Sequence, residues 1–133
     1  MKHLEIKIKT TARNQVIDIT PQVKQVIQDN DFQNGILIVY VPHTTAGVGV
    51  NENADPDVKT DFIRKMSDIV PEDSSFKHVE GNSDSHIKTI LTNTSQTFFV
   101  ETGSLVLGTW QGIYFCEYDG PRTRKCWVKF IEE

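Results

Sequence analysis

Cysteine is scarce in this chain: Cys116 and Cys126 are the only two among 133 residues. They form no CxxC pair, and they read as reduced, half-buried strand residues close enough to meet across a hairpin. Long apolar runs are missing as well. No stretch of about 18 such residues occurs, which excludes a membrane-spanning helix on length. Met1–Thr10 alternates charged and aliphatic residues and lacks the apolar centre of a secretion signal, so the expected location is the cytoplasm. Positive charge is in deficit, with 14 Lys and Arg against 18 Asp and Glu, a formal net charge of −4. That argues against general nucleic-acid binding, which needs a basic face to displace phosphate counterions. Low-complexity tracts, repeats and linkers are absent too. So are a Ser-His-Asp order and a Walker loop, which leaves no ready-made nucleophile or nucleotide cradle.

What remains is an ordinary globular composition, 38% hydrophobic and 24% charged, in a chain long enough to bury a core as one domain spanning residues 1–133. Leu4, Ile6 and Ile8 alternate with Glu5, Lys7 and Lys9, the period of a half-buried strand. A short strand over Gln15–Ile19 precedes a helix over Pro21–Asn30, with Thr20 as N-cap and Val23, Val26 and Ile27 as its apolar stripe. Gly35–Val41 is a continuous β-branched run, the pattern of a strand covered on both faces. Val48–Asn51 reads as a strand. Asp55-Pro56 opens a helix striped by Val58, Phe62, Ile63, Met66 and Ile69. A third helix runs from Asn82 to about Thr94, capped by Asn82 or Ser83, with Ile87, Ile90 and Leu91 facing inward. Strands follow at Phe98–Glu101, Leu105–Leu107, Gln111–Tyr118 and Lys125–Ile131, the last two joined by an Asp119–Arg122 turn. The order is close to ββαββααβββ. Short connections between strands favour antiparallel pairing, so the expected fold is α+β: two packed, mainly antiparallel sheets with about three helices.

Three polar segments, Pro42–Asp55, His78–His86 and Gly108–Arg122, carry the residues suited to chemistry and are expected to converge on one small-molecule site. His3 sits on a charged strand face and reads as exposed. His43, His78 and His86 all stand at junctions between loops and elements. His43 follows the most buried strand, which would fix its position while the loop exposes its ring. Glu52 closes a strand in the carboxylate- and amide-rich run Asn51–Asp55. Gly81 permits a positive φ, and the free N–H groups at Asn82–Ser83 could cradle an anion. Trp110 could stack on a planar ligand, and Arg122, or Arg124 in its place, offers a fork for phosphate.

Taken together, the runs PHTTAGVGVNENADPDV, HVEGNSDSHIK and LGTWQGIYFCEYDGPRTRK resemble the YjbQ family, also described as secondary thiamine-phosphate synthases. The resemblance extends from the first strand to the last. It implies a two-sheet α+β sandwich, a homotrimer with pockets near subunit contacts, and a transfer reaction. In that reaction a thiazole phosphate joins a hydroxymethylpyrimidine diphosphate and pyrophosphate is released. The family's polar positions fall here on His43, Thr44, Thr45, Asn51, Glu52, Asn53, Asp55, His78, Glu80, Asn82, Asp84, His86, Trp110, Gln111, Glu117, Asp119 and Arg122. Thr94–Gln96 and Glu101–Gly103 are more polar than the family's pattern leads one to expect.

A working site follows for a phosphorylated small molecule. His43, Glu52, Asp84 and His86 are the catalytic candidates, one histidine acting as acid or base and Glu52 or Asp84 orienting it. Thr44, Thr45, Asn51, Asn53, Asn82, Ser83, Trp110, Gln111, Glu117, Asp119 and Arg122 are candidate ligand contacts. The alternative is a binding protein without catalysis. In either case His43, His78 and His86 could hold a divalent metal, zinc or magnesium, with one position left open.

Overall fold

The computed structural model describes residues 2–133. Among them, eight strands and three helices follow one another: β1 (Leu4–Lys9), β2 (Gln15–Asp18), α1 (Thr20–Asp29), β3 (Gly35–Tyr40), β4 (Ala46–Glu52), α2 (Pro56–Ile69), α3 (Ser83–Thr92), β5 (Ser95–Glu101), β6 (Ser104–Val106), β7 (Gln111–Glu117) and β8 (Thr123–Glu132). The four strands expected after α3 are all present as β5 to β8, so the order is ββαββααββββ.

Five strands form one sheet in the order β1-β8-β3-β5-β6, and three form a second in the order β2-β7-β4, with every pairing antiparallel. This is the α+β sandwich read from the sequence. The core lies between the sheets and takes Leu37 and Val39 from β3, Val48 from β4, Ile113 and Phe115 from β7 and Val128 from β8, with Val23 and Ile27 of α1 closing one end. The other face of β7 presents Tyr114 and Cys116, followed by Tyr118, to Phe62 and Met66 of α2. β7 is thus the strand covered on both faces, because helices lie over the outside of its sheet.

β3 is not. Its Leu37 and Val39 are buried while Ile36 and Tyr40 stay about 40% exposed, so its unbroken apolar run marks an outer surface as well as a core face. The Asp119–Arg122 turn does not close a hairpin either: β7 and β8 belong to different sheets. Cys116 and Cys126 are consequently free, fully buried and packed in separate clusters, and burial pushes both thiols up to about 12.

Helix starts follow local chemistry. The Asp55 side chain accepts from Asp57 N–H (2.9 Å), the cap expected at that position, with Pro56 next. Thr20 is the first helical residue rather than the cap. Its N–H donates to the Asp18 carboxylate, and its hydroxyl accepts from Ile113 N–H, tying α1 to β7. The polar departures also find their reasons. Gln96 donates to the Val48 carbonyl between the two sheets (3.0 Å), and Thr102 and Gly103 form the tight β5–β6 turn with positive φ.

Candidate functional site

β4 spans about 20 Å at the ~3.3 Å rise of an extended strand, with His43 and Thr44 before its start and Asn51–Asp55 at its finish. That geometry divides the three polar segments into two groups rather than one.

At the start of β4, His43 and His86 line a common cavity of about 430 Å3 together with Thr44, Thr89, Ile90, Asn93 and Thr94. His78 is exposed and its ring lies 5.2 Å, centroid to centroid, from that of His86. Two segments therefore bring all three histidines to one region. His43 is fixed by the edge of the large sheet: the β3–β8 pairing ends at Tyr40 and Trp127, and the next free N–H, that of Lys125, donates to His43 Nε2 at 3.0 Å. A neutral imidazole that accepts at Nε2 carries its proton on Nδ1. Burial, reinforced by the Arg124 cation, pushes His43 below the ordinary histidine range and keeps it neutral at pH 7. His43 is therefore a hydrogen-bond donor through Nδ1.

The third segment reaches this region only through its turn. Asn82 donates to the Asp119 carboxylate (2.9 Å), so its side chain faces the turn instead of capping α3. Arg122 bonds the Asp119 carbonyl (2.8 Å) and carboxylate (3.1 Å), which leaves its fork half exposed but engaged. Gly81 has the expected positive φ of 78°.

Several candidates belong to the scaffold. Glu117 is wholly buried and accepts from Arg124 (2.9 Å), from Thr10 (2.7 Å) and from the N–H groups of Tyr118 and Asp119. Arg124 also holds Thr45 (2.8 Å), so neither Glu117, Thr45 nor Arg124 faces a ligand. Asp84 is 1% exposed and bonds no histidine. Arg13 grips both its oxygens at 3.2 Å and Lys88 reaches one at 3.3 Å. Burial alone would raise its carboxyl; the two cations outweigh it and hold it below the usual carboxylate range. Ser83, half-buried, opens the helix beside it.

The remaining candidates sit at the finish of β4. Glu52 accepts from Asp55 N–H (3.0 Å), Asn51 accepts from Glu52 N–H, and Asn53 donates to Asp18 (2.9 Å). Gly112 lets Asn53 lie against β7, where a Cβ would stand 2.6 Å from it. Trp110 is 65% exposed here, and Gln111 accepts from Gly108 N–H. Glu52 and Trp110 thus lie at the end of the strand opposite His43, and Glu52 cannot orient that ring within one chain. Among the described residues no three or more His, Cys, Asp or Glu side chains are disposed to share a metal ion, and His43 Nε2 is already used. The three-histidine set does not assemble as metal ligands within one chain.

The sequence matches the model of a family described as UPF0047 protein YjbQ-like over residues 4–133. The chain belongs to the YjbQ family. Relatives include the UPF0047 protein YugU of Bacillus subtilis, 50% identical over 95% of this chain and 96% of that protein. UPF0047 protein MJ1081 of Methanocaldococcus jannaschii is likewise 50% identical, over 94% of this chain and 91% of its own. A YjbQ/UPF0047 family crystal structure from Clostridium acetobutylicum superposes with a TM-score of 0.93 at 49% identity, covering 96% and 99% of the two chains. Membership in the YjbQ family fixes ancestry and fold, not a reaction.

Two residues of this region were not anticipated. Lys88, 2% exposed, carried a signal: it lies four residues after Asp84, a helical ion-pair spacing. Arg13 carried none, since the turn after β1 meets α3 only through the tertiary fold.

Proposed function

We propose that this protein is an enzyme acting on a phosphorylated small molecule, of the thiamine-phosphate synthase type, working as a cytoplasmic homotrimer. The single observation that supports the reading is the shared cavity of His43 and His86. In the reaction a thiazole nitrogen attacks the pyrimidine methylene carbon and forms a C–N bond. The C–O bond to the diphosphate breaks, and pyrophosphate leaves with the electron pair. No proton need be removed for that step. What it needs is hydrogen-bond donors for the leaving oxygens. His43 Nδ1–H, on a ring kept neutral by burial and oriented by the Lys125 N–H, has that character, and Thr44 and Asn93 beside it carry further donor groups.

Trimer formation is supported by apolar residues left outside: Ile36, Phe99 and Ile131 on the large sheet, and Ile87, Ile90 and Leu91 on α3. Ile90 also edges the histidine cavity, so a neighbouring copy on α3 would narrow it.

The test mixes purified protein with both precursors and follows thiamine phosphate, with and without Mg2+ or Zn2+ to examine a divalent-metal requirement. His43→Ala and His86→Ala should each lose about a hundredfold or more in turnover, the weight of one positioned donor or acid. Normal turnover by both variants would remove the site from consideration. A binding protein without catalysis is the second reading, favoured because the sequence holds no Ser-His-Asp order, Walker loop or CxxC pair. It predicts a rise in melting temperature with pyrophosphate and no product.

A further inference from the structure

A formal net charge of −4 describes the chain as a whole, but the outer face of the large sheet departs from it. Along β1 and β8 the buried Ile6, Ile8, Cys126 and Val128 alternate with the exposed Lys7, Lys9, Lys125 and Lys129. The period of two puts all four lysines on the face turned away from the core. Lys7 stands directly opposite Lys125 in the β1–β8 register. Like charges opposed across a ladder are destabilising, and among the described residues none of the four lysines forms an ion pair. Glu5 is the one carboxylate among the outward residues of these two strands, and it accepts from Trp127 Nε1 at 3.3 Å.

A row of rings runs between the lysines. Trp127 follows Lys125 and precedes Lys129 on the same face of β8, and Tyr40 of β3 is its partner in register. Ring centroids lie 5.9 Å apart for Tyr40 and Trp127 and 4.4 Å apart for His3 and Trp127. Lys125 Nζ stands 5.7 Å from the Trp127 centroid. His3 is exposed, and Tyr40 is 43% exposed. Cations and rings therefore alternate on an open sheet face. Such a face suits single-stranded nucleic acid, because rings stack on any base while lysines neutralise the phosphates that join the bases. A bilayer would call for apolar side chains that protrude, whereas these rings lie against one another.

We propose that this face binds single-stranded nucleic acid, with bases on the row of Tyr40, Trp127 and His3 and phosphates on Lys7, Lys9, Lys125 and Lys129. The apolar row of Ile36, Phe99 and Ile131 lies further along the sheet, where Ile36 pairs with both other residues, and is a distinct surface. The proposal is independent of the transferase reading, and its test uses no turnover.

The probes are fluorescently labelled oligo(dT) and oligo(rU) of about twelve nucleotides, within the range of single-strand site sizes, followed by anisotropy with the full chain. At least one should bind at low salt, about 50 mM, and log K should fall against log salt with a slope of about −3 for four neutralised phosphates. The double variant Lys7→Gln, Lys125→Gln should halve that slope and, without ligand, be at least as stable as the parent. Tyr40→Leu should weaken binding about tenfold, the weight of one stacked base. Lys65→Gln, on α2, should leave affinity unchanged. Failure of both oligonucleotides to bind overturns the proposal, whether or not phosphatidylserine vesicles capture the protein. So does competition by polyphosphate as strong as that by the unlabelled oligonucleotide, which would leave the rings without a role. A drop in light-scattering mass in the double variant or in Tyr40→Leu would place a second copy on this face and overturns it as well.

Discussion

At the scale of single residues, hydrogen-bond partners separate the chemical candidates from the structural ones. His43, Glu117 and Asp84 have similar sequence credentials: each is polar, titratable and part of one of the three family motifs. Only His43 lines a cavity, and Lys125 takes one of its nitrogens and leaves the other without a partner in the chain. Imidazole 15N spectra should show His43 as the neutral Nδ1–H form at pH 7; an Nε2–H pattern would refute its donor role. Its pKa is lowered on folding, so the unfolded chain binds more protons as pH falls through the ordinary histidine range near 6.5. Stability should therefore decline below that pH and not above it, and His43→Gln should flatten this part of a urea-midpoint profile.

Glu117 and Arg124 form a fully enclosed ion pair with Thr10 and Thr45 as further partners. Removing one member leaves the other charged and buried. Arg124→Met should cost about 3–5 kcal/mol by urea unfolding. A cost below about 1 kcal/mol would mean that Glu117 is solvated and open to a ligand after all.

At the scale of elements, α3 shows most clearly what periodicity conveys and what it does not. Its helical spacing is plain from Ile87, Ile90 and Leu91, and the helix forms over Ser83–Thr92. The expected inward face is reversed: those three residues are 36%, 79% and 59% exposed, while Asp84, Ser85, Lys88 and Thr89 are buried. A polar face can pack inward here because every group meets a partner. Ser85 bonds the Tyr118 carbonyl (2.6 Å), Thr92 meets the Tyr118 hydroxyl, and Asp84 binds two cations. A hydrophobic stripe announces a helix without naming its neighbour. Asp84→Ala, which strands Lys88, should destabilise by about 3 kcal/mol or more in urea. Ile90→Ser should change the chain's folding by less than about 0.5 kcal/mol, as an exposed substitution does.

At the scale of the whole molecule, the outward apolar residues of the large sheet and of α3 exceed what scattered surface hydrophobics require, and contiguous patches of that kind mark interaction surfaces. If the proposed trimer uses them, Phe99→Glu and Ile90→Glu should lower the mass measured by light scattering to that of one chain. Far-UV circular dichroism should stay unchanged, and a mass that does not move would exclude these faces. No helix among the described residues is long and apolar enough to cross a membrane.

The sequence by itself determined the two-sheet α+β class, the start of α2 at Asp55, and most strand positions. Those features rest on local periodicity and on side chains bonding their own backbone, interactions between near neighbours. It also determined the family, through three long motifs. Only the tertiary structure decided that β7 and β8 lie in different sheets, that α3 turns its polar face inward, and that the three polar segments part between the two ends of β4. Those outcomes depend on which distant residue meets which, as when Arg13 meets Asp84 and Lys125 meets His43, and a residue's own neighbours in the chain carry no trace of such pairings.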